Sequence, residues 1–182
     1  MNLNRRDVIR RSGLFAAAAT LGLVLPARTW AALPVPTGSI KADEDLLNAI
    51  GDTILPTTPS SPGAGAVGIG RFILAMTSEC LTPESAEALR QALAEMRASP
   101  SWRNFENQSA MERETLLRAY ERTTGIQTAG SVINGYRLIK ELTLLGYFTS
   151  EAGATQALRY DPVPGFYRGS VRLEDGDRSW ST

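Results

Sequence analysis

The sequence predicts an all-α domain. Three observations carry that expectation: apolar residues recur three and four apart along most of the chain, no stretch alternates with the period of two that a half-buried strand needs, and helix-capping residues stand just ahead of the apolar runs. About six helices fit between the proline and glycine breaks. The expected boundaries are 1–31 for an export leader, 32–41 for a linker, 42–160 for a single helical domain and 161–182 for an extended, irregular C-terminal tail.

The leader comes first. Asn4-Arg5-Arg6-Asp7-Val8-Ile9-Arg10 follows the twin-arginine pattern, with Val8 and Arg10 where phenylalanine and lysine are commoner. The apolar run from Leu14 to Leu25 is alanine-rich and falls short of the about 20 residues that a membrane span requires. Thr29-Trp30-Ala31 sets small residues at the two positions a signal peptidase reads, so cleavage is expected after Ala31, and Arg28 would hinder the unfolded-chain route. Arg5 and Arg6 therefore read as the signal for the twin-arginine export machinery, which carries folded cargo to the periplasm. An ordinary secretory leader and an uncleaved anchor are the alternatives.

Leu33-Pro34-Val35-Pro36-Thr37-Gly38 reads as an extended linker, because its prolines favour polyproline geometry and supply no amide donors. Leu46, Leu47, Ile50, Ile54 and Leu55 then recur at helical spacing behind Asp43, Glu44 and Asp45, and Pro56 ends this first helix. The prolines and glycines between Leu55 and Gly65 make a loop. A second helix is expected from Val67 to Leu81 on Phe72, Ile73, Met76 and Cys80. Thr82 followed by Pro83 opens a third, which runs on Leu89, Leu93 and Met96 until Pro100 stops it.

Trp102 and Phe105 fall in a short turn. Ser109 and Glu112 form a capping-box pattern that opens a helix through Leu116, Leu117 and Tyr120, closed by Gly125. Ser131 to Leu145 predicts another on Val132, Ile133, Tyr136, Ile139, Leu142 and Leu145, with Gly146 as a left-handed cap. A shorter helix follows from about Ser150 to Leu158.

Composition narrows the chemistry. The whole chain has 19 basic and 19 acidic residues; removing Arg5, Arg6, Arg10, Arg11, Arg28 and Asp7 with the leader leaves 14 and 18. That mild acidity gives no basic patch for nucleic acid. With no histidine and one cysteine, Cys80, the chain lacks the ligands of a haem attachment site, an iron–sulfur cluster or a thiolate zinc site, and it lacks the commonest general base. Asp43-Glu44-Asp45 has neither the ligand spacing nor the central glycine of a calcium loop. Neither a catalytic group, a cofactor-binding set nor a metal site emerges. Cys80, in a helix-like apolar stretch, is expected to be a buried thiol.

Gly63-Ala64-Gly65-Ala66-Val67-Gly68 matches the dinucleotide fingerprint by letter. The fingerprint works only where a buried strand delivers the first glycine, and Pro56 to Pro62 cannot be that strand. Asp52 and Thr53 are expected to satisfy loop backbone beside Pro56 rather than contact a ligand, and Glu141 to pair with Lys140, Arg137 or a partner chain rather than serve as an acid or base. Tyr147, Phe148, Phe166, Tyr167 and Trp180 concentrate aromatics in the last third, as core or turn residues or as interface anchors with few rotors to freeze.

Asp52-Thr53-Ile54-Leu55-Pro56, Pro62-Gly63-Ala64, the segment Leu142-Thr143-Leu144-Leu145-Gly146-Tyr147-Phe148-Thr149-Ser150-Glu151 and Pro164-Gly165-Phe166-Tyr167-Arg168-Gly169 resemble, in order, the gluconate 2-dehydrogenase subunit 3 family. The resemblance implies a non-catalytic small subunit of a bacterial sugar dehydrogenase complex. In such complexes a flavoprotein large subunit of the glucose–methanol–choline type holds FAD, and a haem-bearing cytochrome c often takes the electrons. It further implies that the small subunit carries the leader for both proteins, with Tyr147, Phe148, Phe166, Tyr167 and Trp180 as candidate partner contacts. A stand-alone periplasmic binding or structural domain, and a carboxylate-dependent enzyme, are the rival readings.

Overall fold

Leu46, Leu47 and Ile50 place a stripe of aliphatic side chains along one side of α1 (Lys41–Ile54), and all three are buried. The structure is a computed structural model that describes residues 30, 41–124, 134–161, 163, 165, 170, 172 and 174–181. Among the described residues it is all-α, with no strand.

Asp43 and Glu44 in the first turn of α1 suit the positive end of the helix dipole. They also act at longer range. Arg71 reaches Glu44 at 3.1 Å and Arg97 reaches Asp43 at 2.5 Å, so two later helices are tied to the start of the first. Both pairs are partly buried, where screening by salt is weaker than at an open surface.

The single helix expected from Val67 to Leu81 is divided. A 3-10 turn at Gly65–Val67 leads into Gly68, whose φ of 77° is left-handed, and α2 (Ile69–Glu79) begins only after it. A residue with a Cβ is strained in that conformation, so the glycine marks the break that apolar spacing conceals. Cys80 is consequently the residue after the helix, not a member of its inner face. Its thiol is exposed, which corrects the expectation of a buried one.

Helix α3 (Pro83–Ala98) begins as its sequence predicts: the Thr82 hydroxyl accepts from the Ser85 amide at 3.3 Å, and Pro83 occupies the first turn. Two 3-10 turns, Pro100–Trp102 and Phe105–Asn107, bring Trp102 and Phe105 into the core, their ring centroids 4.8 Å apart. The capping box then opens α4 (Ala110–Thr124): Ser109 N–H donates to Glu112 at 2.9 Å, and Glu112 N–H returns to the Ser109 hydroxyl at 3.3 Å.

Helix α5 (Gly135–Phe148) is capped by Asn134, whose side chain accepts from the Arg137 amide at 3.2 Å. The helix therefore starts at Gly135, behind an extended Asn134, and not at Ser131 as its apolar spacing predicts; the expected closure of the preceding helix at Gly125 lies outside the described residues. Gly146 is a correction. It is an interior helical residue without positive φ, and Thr149 caps the helix instead. A Cβ at 146 would lie 2.5 Å from Ile69 Cδ1 and closer still to Phe72, so the glycine is there to let α2 approach. After Thr149 the expected last helix is present over 151–157, its larger part a π-helical stretch, Gly153–Ala157.

Helix α1 packs on α2, α4 and α5, while α5 also lies against α2 and α3. Leu47, Ile50, Ile69, Ile73, Leu89, Met96, Phe105 and Ile139 meet there with almost no exposure. Each fully buried aliphatic side chain contributes about 1.5–3 kcal/mol. The described residues beyond Asp161 form no helix, as expected of the tail. They are nevertheless tied down: Arg159 N–H donates to Ser179 O at 2.8 Å, Ser181 N–H to Arg159 O at 2.9 Å, and Arg178 to Gln156 O at 2.6 Å.

Candidate interaction site

The glycine loop is held by side chains of its own domain. Asp52, in the last turn of α1, accepts from the Gly65 amide at 2.7 Å, and the Thr57 hydroxyl accepts from the Gly63 amide at 3.0 Å. Gly68 N–H goes to Gly65 O at 3.0 Å. The amides of Gly63, Ala64, Gly65 and Gly68 are thus occupied, and a carboxylate sits on the Gly65 amide where a phosphate oxygen would have to come. Burial pushes the Asp52 carboxyl above its usual range, against the opposing pull of the Gly65 amide and the Arg113 guanidinium.

The expectation that Asp52 satisfies loop backbone is met, although its partner is Gly65 and not a neighbour of Pro56. Thr53 differs. Its hydroxyl donates to Ala49 O at 2.8 Å, within its own helix. Glu141 accepts from Arg137 at 2.7 Å, one turn away on α5, whereas Lys140 crosses to Glu121 on α4 at 2.6 Å. The three polar side chains singled out in the sequence are therefore all engaged in structural contacts. Among the described residues no group of three acidic, cysteine or histidine side chains could hold a metal, and no helix is long and apolar enough to cross a membrane.

The candidate partner-binding aromatics fare differently from one another. Tyr147 is only 3% exposed and its hydroxyl donates to Pro62 O at 2.8 Å, so it fastens the loop to α5 from inside and offers no surface. Phe148 packs partly buried against the core, 5.3 Å from the Tyr147 ring. Trp180 is 48% exposed and has the Arg159 guanidinium 4.1 Å from its ring centroid. Phe166 and Tyr167 lie outside the described residues, as do Arg5, Arg6 and Ala31.

The exposed apolar surface includes residues the sequence placed otherwise. Leu145, assigned to the inner face of its helix, is 49% exposed, and adjacent Leu144 is 38% exposed. The signal was present in Leu142-Thr143-Leu144-Leu145-Gly146-Tyr147-Phe148, an apolar run too continuous for one helix face. Tyr160 and Val163, near the start of the tail, are exposed as well. Trp30, which the expected cut after Ala31 would discard, is seated on α5: its indole N–H donates to Gly146 O at 2.9 Å. A large aromatic between two small residues of a leader was the trace of that role.

A second polar feature lies across the core. Trp102, Tyr120 and Tyr136 stack edge to face in sequence, with centroids 5.5 Å apart at each step. Burial, reinforced by Glu95 for Tyr120 and by Glu121 for Tyr136, pushes both phenols up to about 12. They remain protonated at neutral pH, as packing residues that can donate a hydrogen bond.

No curated protein and no solved structure has significant similarity to the chain. Residues 41–165, which span every helix described above, match the family model described as Gluconate 2-dehydrogenase subunit 3, and the chain therefore belongs to the gluconate 2-dehydrogenase subunit 3 family.

Proposed function

We propose that the chain is the non-catalytic small subunit of a periplasmic, FAD-dependent sugar or glycoside dehydrogenase of the glucose–methanol–choline type. It escorts the folded flavoprotein through twin-arginine export and then stabilises it. FAD belongs to that partner and haem to a cytochrome c subunit; this chain binds neither. The family membership supplies the dehydrogenase complex.

The observation that carries the binding role is the adjacent pair Leu144 and Leu145, exposed on a helix whose other side is core. Such a pair gives a partner apolar area on a rigid element. Phe148, on the same helix, and Trp180, in the tail, would extend the contact. A specific interface of this kind usually buries at least about 1,200 Å² in total.

The escort role is tested by replacing Arg5 and Arg6 with lysine in cells that make both proteins. Fractionation should then find chain and flavoprotein together in the cytoplasm. A flavoprotein that still reaches the periplasm would overturn it.

A further inference from the structure

Trp30 closes the C-terminal end of α5. A helix leaves its last four carbonyls without donors of its own. In α5 the Ser150 amide, which a continued helix would bring to Gly146, donates to Tyr147 O at 3.0 Å instead. The Trp30 indole N–H supplies the missing donor to Gly146 O at 2.9 Å. Its ring lies 4.8 Å from the Phe72 ring, centroid to centroid and tilted by 47°.

The seat follows from the helix packing already described. Because residue 146 has no side chain, Phe72 of α2 comes against α5 beside an uncovered carbonyl. An aromatic face next to a lone acceptor fits an indole, which needs burial for its ring and a partner for its N–H. Trp30 is accordingly half-buried at the edge of the core.

We propose that Trp30 is a latch of the mature domain, and that the precursor is processed on the N-terminal side of it, so that the bond after Ala31 is not cut. The inference rests on the reading of residues 1–31 as a folded-cargo leader. On that route the helical domain is already folded while the leader is attached, so the latch forms before the peptidase meets the chain. A peptidase cleft that takes its substrate as an added strand needs an extended segment. The Trp30 indole is instead held on α5. Cleavage after Ala31 would require it to leave that seat, stripping Gly146 O of its donor and Phe72 of its cover.

Two measurements decide the matter. Intact-mass analysis of the chain recovered from the periplasm should give a processed N-terminus, past Met1 and no later than Trp30; a chain still beginning at Met1, or one beginning at Ala31 or Ala32, overturns the proposal. In the full chain, Trp30→Ala should lower the melting temperature by about 4–8 °C, and Trp30→Phe, which keeps a ring but has no N–H, should fall between that variant and wild type. Equal melting of Trp30→Ala and wild type overturns the latch. If the chain is found only in the cytoplasm, the export reading and the processing claim fail together, while the melting comparison still decides the latch.

Discussion

The Asp52 carboxylate holds the Gly65 amide at 2.7 Å, joining the end of α1 to the turn that launches α2. This contact makes a glycine-rich loop that matches a nucleotide motif by letter into a piece of scaffold. Two consequences follow from its chemistry.

Asp52→Ala leaves the Gly65 N–H without its acceptor and should destabilise the chain by about 1–3 kcal/mol in denaturant titration. Asp52→Asn keeps an acceptor oxygen and should be tolerated. The pH dependence separates the two effects. Folding raises the Asp52 pKa above 3.8, so the native state binds the proton more tightly than the unfolded chain, and the ionised side chain opposes folding above its folded pKa. Relative to Asp52→Asn, wild type should therefore gain stability as the pH falls through the raised pKa towards 3.8.

Glu112 has the opposite sign. The Ser109 hydroxyl and amide both bond its carboxylate and lower its pKa below 4.5. Its contribution is present above 4.5 and is lost as the pH falls through the lowered value. Amide exchange in the first turn of α4 should accelerate over that window in wild type, and Glu112→Gln should remove the dependence.

Gly146→Ala would drive a Cβ into Phe72 and Ile69 and should cost about 1–3 kcal/mol by overpacking. Tyr147→Phe, one residue on, removes the donor to Pro62 O without changing the ring, and should cost about 0.5–1.5 kcal/mol. Thermal unfolding of both variants compares the α2–α5 contact with the tie between α5 and the Pro62 loop. A Tyr147→Phe variant as stable as wild type would show that the loop is held without it.

Leu144→Glu and Leu145→Glu change exposed positions and should alter stability by no more than about 0.5 kcal/mol. Both should reduce recovery of the flavoprotein when the chain is pulled down from the periplasm. Undiminished recovery with the double variant would remove α5 from the interface.

The sequence by itself determined the helical class, the family, and those elements whose signals are local. Thr82-Pro83 and Ser109 with Glu112 state where α3 and α4 begin, because a cap needs only residues within one turn of itself. For Glu141 the spacing offered Lys140, Arg137 or a partner chain, and the structure selects Arg137, four residues away on the same helix. Tertiary structure decided what depends on distant neighbours. Gly146 reads as a helix stop until α2 is seen pressed against it, and Leu145 reads as core until the packing directions of α5 are known. Tyr147 meets a partner 85 positions away in sequence, and Trp30 one 116 positions away. No periodicity encodes such contacts: spacing along the chain records which side chains share a face, and only the assembled helices determine what that face meets.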